Sequence, residues 1–191
     1  MRLDDRAVLI SIDVQRGFDL RPWGPRNNPD MEANALALLA AWRQAGRPVF
    51  VVRHDSRNPQ SILAPGSPGN PLKPGFEPQP GEPLVTKGVN SAFIGTDLEQ
   101  RLRAAGIRQV VLFGISTDMC VSTTARMAAN LGFDLVVAGD ACHTWGQTGP
   151  EGQFLDGDTL HHAHLATLHS EFGRVVRTQE LLEALGAPRA A

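Results

Sequence analysis

Residues 7–14, Ala-Val-Leu-Ile-Ser-Ile-Asp-Val, form a nearly unbroken aliphatic and β-branched run. A strand of that composition has no wet face, so the sheet that contains it must be covered on both sides. Further strands are read at Val49-Phe50-Val51-Val52-Arg53, Leu84-Val85-Thr86-Lys87, residues 109–113, Leu135-Val136-Val137-Ala138 and Arg174-Val175-Val176-Arg177. Helical patterns alternate with them. One spans 30–45, opening at Asp30 as N-cap and stopped by Gly46 with Pro48 beyond. Another runs to Ala105 from a capping box at Thr96 and Glu99 and ends at Gly106. A third covers 122–131 before Gly132. A fourth reaches about Phe172 from Asp158 as cap, and a short last one is capped by Thr178. Six strands alternating with helices predict an α/β fold: a parallel, doubly wound six-stranded sheet in three α/β/α layers.

Two segments resist that pattern. Residues 15–30 hold Gly17, Pro22, Gly24, Pro25 and Pro29 and read as a functional loop carrying Phe18, Trp23 and Arg26. Residues 54–83 are dense in Pro-Gly pairs. Because the strand and helix alternation resumes afterwards, they read as a semi-rigid excursion over the active face, not a boundary, and 1–191 is expected to be a single domain.

Composition narrows the partners. A net charge of -2 without runs of one sign gives no footprint for nucleic acid or an anionic membrane, which leaves a small neutral or mildly polar molecule. No signal-peptide core and no apolar run near the roughly 20 residues needed to span a bilayer is present, so a soluble, cytoplasmic protein is expected. Cys120 and Cys142 each lie beyond a predicted strand, and two cysteines in so large a domain predict reduced thiols.

Ligands of open parallel sheets sit outside the carboxyl ends of the strands. Asp13 closes the first strand, Lys87 the third, and Cys120 follows the fourth through Gly114-Ile115-Ser116-Thr117-Asp118-Met119 at the start of a helix. A lone cysteine there is more often a small buried hydrophobe. Three chemically capable residues on one edge shift the reading to a nucleophile. A carboxylate can accept the thiol proton, an ammonium orients it, and the helix N-terminus is expected to lower the thiol pKa and offer donors to an oxyanion.

Those residues carry a resemblance. Asp13 in Ile12-Asp13-Val14-Gln15, Lys87 followed by Asn90-Ser91-Ala92-Phe93, and Gly114 to Val121 resemble the three signatures of the isochorismatase-like cysteine hydrolases, in order, with the likeness running from Ala7 to Val176. The resemblance implies an Asp13, Lys87, Cys120 triad and a non-proline cis peptide between Ile115 and Ser116. It also implies an oxyanion hole from the Ser116 and Cys120 N–H groups, no cofactor, and a homo-oligomer, dimer or tetramer. The retained cysteine points to acyl chemistry on a C–N bond of a small amide, ureido or carbamoyl compound. Ester or vinyl-ether hydrolysis on the same scaffold is the second enzymatic reading, and a redox sensor or small-molecule binder using Cys120 is the non-enzymatic one.

The metal site of nicotinamidases, an Asp-x-His followed by another His, is not reproduced by His54-Asp55, so no metal is expected. His161, His162, His164 and His169 on the late helix are expected at the surface or a subunit contact. Candidate substrate contacts are Phe18, Trp23, His54, Phe93 and Trp145; Cys142 is read as a packing residue.

Overall fold

The computed structural model describes residues 2–20 and 23–186. Its main sheet has six strands, β1 (Val8–Ile12), β2 (Val49–His54), β3 (Leu84–Lys87), β4 (Gln109–Ile115), β5 (Asp134–His143) and β8 (Arg174–Val176). They are ordered β3-β2-β1-β4-β5-β8 with every pair parallel. All five residues of β1 and all seven of β4 are buried, as their continuous apolar sequence requires. Full burial of each such Val, Leu or Ile stabilises by roughly 1.5–3 kcal/mol.

Right-handed crossovers assign the helices to faces. The chain passes from β1 leftward to β2 through α2 (Met31–Gln44), which packs with the terminal helix α6 (Thr178–Ala184) on one face. The rightward crossovers place α3 (Leu98–Ala104), α4 (Ser122–Asn130) and α5 (Gly157–Thr167) on the other. Arg103 of α3 donates to Leu131 O just after α4 at 2.8 Å, which ties those two neighbours. Trp42 of α2 is wholly buried and donates to Ala7 O at 3.1 Å, pinning its helix across the start of β1. A single turn, α1 (Gly17–Leu20), interrupts the first loop, and β6 (Gln147–Thr148) pairs antiparallel with β7 (Phe154–Leu155) as a small separate hairpin.

The element types expected from sequence are present, but three helix starts are corrected. The N-cap of α3 is Asp97, and the Thr96–Glu99 box is not formed because Glu99 pairs with Arg103 at 2.8 Å. The cap of α5 is Asp156, whose carboxylate accepts from Thr159 N at 2.7 Å, not Asp158. Arg177 occupies the N-cap of α6, while the Thr178 N–H and hydroxyl both donate to Asp140 Oδ1. Strand β5 also runs to His143, past the expected Ala138. Gly139 lies within a register shift that carries the strand's second half on to pair Cys142 with Gly114 and His143 with Ile115.

Strand order reverses at β1. Its left neighbour β2 follows it directly, whereas its right neighbour β4 arrives only after β3 and α3. Residues leaving β1 and β4 therefore flank the crevice where ligands of such sheets bind.

Candidate active site

Asp13 is the residue after β1 and adopts φ 52°, a left-handed conformation that Asp tolerates better than most residues. Its N–H donates to Val52 O at 3.0 Å, holding the turn against β2. Beside it, Gly114 pairs with Ile12 and has φ 141°; a Cβ there would stand 2.0 Å from Ile12 O. Only glycine lets the two strands approach so closely at the switch point. The Ile115–Ser116 peptide bond is cis, and a π-helical turn (Thr117–Val121) then carries Cys120 into α4. The Met119 and Val121 N–H groups converge on Ser116 O. The Ser116 N–H donates to no acceptor among the described residues.

The structure brings the three strand-end residues together. Lys87 Nζ lies 2.6 Å from Asp13 Oδ2, and both side chains are 0% exposed. The same ammonium lies 3.3 Å from Cys120 Sγ, 3.1 Å from Val89 O and 3.1 Å from His54 Nδ1, so its three N–H groups are shared among four acceptors. An ammonium can only donate, so His54 accepts on Nδ1 and keeps its proton on Nε2. Asp13 also shares a side-chain hydrogen bond with Cys120, the thiol donating to the carboxylate. A carboxylate oxygen of Asp13, a ring nitrogen of His54 and the Cys120 sulfur all lie within 4.8 Å of one another. They are the one group among the described residues spaced to ligate a metal, but the Lys87 ammonium already stands between them. The set does not fit a second cation. Asp55 is likewise engaged, bound by the Arg53 guanidinium at 2.8 and 3.0 Å and by Asn70 Nδ2 at 2.9 Å.

Electrostatics correct one expectation. The Cys120 thiol is pushed up to about 12, first by burial and then by the neighbouring Asp13 carboxylate, with Lys87 opposing. On that balance the resting site holds a neutral thiol, not a thiolate. Burial also raises Asp13 against the pull of Lys87, which makes it a stronger acceptor for the thiol proton. His54 is lowered by burial and Lys87 and stays neutral.

Above the trio opens a cavity of about 480 Å³ reached by Asp13, Ser116 and Cys120. Its wall is aromatic. Trp145 stacks on Phe18 with centroids 5.5 Å apart and on Trp23 at 5.3 Å. His54 lines it as well, so four of the five expected contact residues meet there. Phe93 does not: its ring stacks on Phe133 at 6.0 Å, outside the cavity. Leu63, Asn90, Met119 and Gln147 also line it and were not singled out from sequence. Asn90 and Met119 stood within quoted motifs, whereas Leu63 and Gln147 come from segments with no periodic signal.

The loops are fixed by side-chain amides. Gln15 bridges β2 and the excursion, donating to His54 O at 3.0 Å and Asn70 O at 2.7 Å while accepting from His54 N at 2.9 Å. The excursion thereby closes over the active face and delivers Leu63 to the cavity. Asn27 and Thr144 bond reciprocally, Thr144 N to Asn27 Oδ1 at 2.8 Å and Asn27 N to Thr144 O at 3.1 Å, which brings the first loop to the end of β5. Buried Lys73 joins Asp19 and Glu32, both at 2.7 Å, and Glu32 also receives Arg26. His143, fully buried, stands edge-on to Trp145 at 4.8 Å, both ring nitrogens without a hydrogen-bond partner among the described residues, and burial lowers it to about 3. Cys142 is buried and donates to Ala138 O, a packing role. Among the late histidines, His161 is buried instead of lying at the surface, bonded through Nδ1 to Thr117 Oγ1 at 2.8 Å.

Comparison with known proteins agrees with this geometry. Residues 7–180 match the isochorismatase domain. The chain is 40% identical over 180 residues to the isochorismatase family protein YrdC of Bacillus subtilis, covering 94% of this chain and 96% of that protein. It is 36% identical to the ureidoacrylate amidohydrolase RutB of Methylobacterium radiotolerans, covering 97% and 81%. A crystal structure from Chromobacterium violaceum, assigned to the isochorismatase family of hydrolases, superposes with a TM-score of 0.94 at 44% identity and covers 97% of both chains. Among the described residues, no helix is long and apolar enough to cross a membrane.

Proposed function

This chain belongs to the isochorismatase family of hydrolases, and from that premise we propose that it cleaves the C–N bond of a small amide, ureido or carbamoyl compound through a Cys120 thioester. The observation that carries this reading is the Lys87 ammonium within hydrogen-bonding distance of both a buried carboxylate and a buried thiol at the base of an aromatic cavity. A sensor or simple binding protein has no need of that arrangement. The similarity to a ureidoacrylate amidohydrolase supports a C–N bond as the target.

In the proposed reaction a substrate carbonyl enters between Cys120 and the aromatic wall. As the Sγ–C bond forms, Asp13 takes the thiol proton and the carbonyl π pair moves to oxygen, where the Ser116 and Cys120 N–H groups receive it. Lys87 holds the carboxylate in line with the sulfur. The oxyanion then collapses, the C–N bond breaks, and Asp13 returns the proton to the departing nitrogen. Water attacks the thioester as Asp13 removes its proton; the C–S bond breaks and the sulfur recovers that proton, so the sum is amide plus water giving acid plus amine.

The neutral resting thiol gives the carboxylate its role. Proton transfer is favoured only when the forming C–S bond makes the sulfur acidic, so the nucleophile is generated on the substrate and not in its absence. A screen of small amides, ureido and carbamoyl compounds for ammonia release, run with native protein and with Cys120→Ser, tests the reading. Turnover by the native protein and none by a folded Cys120→Ser variant is expected. Equal turnover by the variant refutes it.

A further inference from the structure

The turn that carries Cys120 is held from two sides by neighbouring segments. On one side Asp118 accepts from Thr144 Oγ1 at 2.5 Å and from Gln147 Nε2. On the other, His161 of α5 reaches Thr117, and His164, one helical turn on, lies with Nδ1 3.3 Å from Ser122 Oγ. Neither Thr117 nor His161 lines the catalytic cavity.

The Thr117–His161 bond has a fixed direction. Thr117 is 0% exposed, and His161 Nδ1 is the acceptor its hydroxyl has among the described residues, at 2.8 Å. A buried hydroxyl hydrogen must be placed on an acceptor, so Thr117 donates and the imidazole is the neutral tautomer with its hydrogen on Nε2. Burial together with the neighbouring His162 lowers His161 to about 4, in keeping with that tautomer. The bond therefore ties a neutral acceptor on α5 to the residue directly after Ser116 and three before Cys120. A π-helical turn is rare and occurs mostly as a single turn within an α-helix, frequently at a functional site. Here two of its N–H groups already share one carbonyl, that of Ser116.

We propose that His161 is a positioning residue for the oxyanion-binding turn: through Thr117 Oγ1 it sets the backbone between Ser116 and Cys120 and so the separation of the two N–H groups that receive the developing negative charge. This rests on the acyl-transfer reading above. His161 touches neither substrate nor sulfur; its effect is confined to the geometry of donors that act in the transition state, so it belongs in kcat and not in KM.

The experiment uses Thr117→Val, which is isosteric and removes the donor, His161→Leu, which removes the acceptor, and His161→Asn, whose amide oxygen can stand near the position of Nδ1. Kinetics are measured on whichever amide the native protein hydrolyses, beside the rate at which iodoacetamide alkylates Cys120, followed by peptide mass. Alkylation needs the thiol but no oxyanion donor. Displacing the donors without deleting them is expected to lower kcat roughly tenfold or more in Thr117→Val and His161→Leu, with KM and alkylation within twofold of native. The double variant Thr117→Val/His161→Leu should be no slower than either single one, and His161→Asn should recover most of kcat. Unchanged kcat in folded Thr117→Val overturns the proposal, as does an alkylation rate that falls in step with kcat, which marks a general collapse of the site. If His161→Leu does not fold, Thr117→Val and His161→Asn decide the matter alone. A native protein that hydrolyses no amide defeats the acyl-transfer reading instead, a result separate from either.

Discussion

Replacing Lys87 with Met removes the one cation in contact with a wholly buried carboxylate, and the structure limits what that costs. Asp13 has two responses. If it stays ionised, it loses an attraction of about 6 kcal/mol, the Coulomb energy of unit charges at the observed 2.6 Å with an effective dielectric constant near 20. If it takes up a proton, the cost is set by how far the solution pH lies above its unfolded value of 3.8, about 4 kcal/mol at pH 7. The folded variant takes the cheaper course, so a loss of at most about 4 kcal/mol at pH 7 is expected, less by what the raised Asp13 already costs the native protein. The sign of the pH dependence follows. A carboxyl whose folded pKa is raised above its unfolded one contributes stability that is full below the unfolded pKa and is lost as pH rises towards the folded one. Burial already raises Asp13 in the native protein, and removal of Lys87 raises it further. The deficit of Lys87→Met should therefore shrink on acidification, by up to about 1.4 kcal/mol per pH unit. Urea denaturation of native and variant protein at pH 5, 6 and 7, extrapolated linearly, measures this directly. With Asp13 protonated, the thiol has no acceptor, and turnover should fall at least about a thousandfold at pH 7. A deficit below about 1 kcal/mol at pH 7, or one of the same size at all three pH values, would falsify the picture of a buried carboxylate held ionised by Lys87.

Three further outcomes are expected. Gly114→Ala places a methyl group 2.0 Å from Ile12 O at an unfavourable φ, and chemical denaturation should show a loss of about 3–5 kcal/mol; a loss under 1 kcal/mol means the strands separate more easily than their pairing implies. With the Cys120 thiol pushed up to about 12, its alkylation by iodoacetamide in the absence of substrate should rise about tenfold per unit between pH 7 and 9, and a plateau below pH 8 would show a preformed thiolate. The Glu32 carboxyl is lowered from 4.5 to about 2; although burial alone would raise it, the hydrogen bonds of Arg26 and Lys73 prevail. A lowered acid contributes stability above its unfolded pKa and loses it as pH falls through the folded one, so the native protein should lose up to about 3 kcal/mol between pH 4.5 and 2. Glu32→Gln should flatten that stretch of the acid-denaturation curve, and an unaltered curve argues against the pairing.

The sheet was legible because its strands are buried on both faces and leave continuous apolar runs, so β1 and β4 could be placed from composition alone. Asp13, Lys87 and Cys120 were legible for a related reason. Each sits at or just past a strand end, and a parallel sheet delivers all such ends to one edge. Helix starts were less so: Thr96 and Asp158 are good caps by residue type, but Asp97 and Asp156, one and two residues away, are equally good, and local pairings, Glu99 with Arg103 and Asp156 with the Thr159 N–H, chose between them. The thiol was misjudged because a helix-end argument counts one favourable field, whereas the folded site adds burial and an adjacent carboxylate, which push the thiol up. His161 gave no sign of burial since α5 has few apolar residues to mark its inner face; its partner, Thr117, is 44 positions away. Phe93 shared a motif with cavity-lining Asn90, and nothing in a sequence separates the residue that faces a ligand from one that stacks on Phe133 behind it.

The strand order has a consequence during synthesis. β1 is made first, but its right-hand neighbour β4 begins at Gln109, and the Asn27–Thr144 bonds that join the first loop to the end of β5 wait longer still. A growing chain that has released Cys120 but not Trp145 already holds Asp13 and Lys87, the partners of the thiol, but lacks the aromatic wall. The capacity to bind is thus completed late in translation, once β5 has threaded in beside β4.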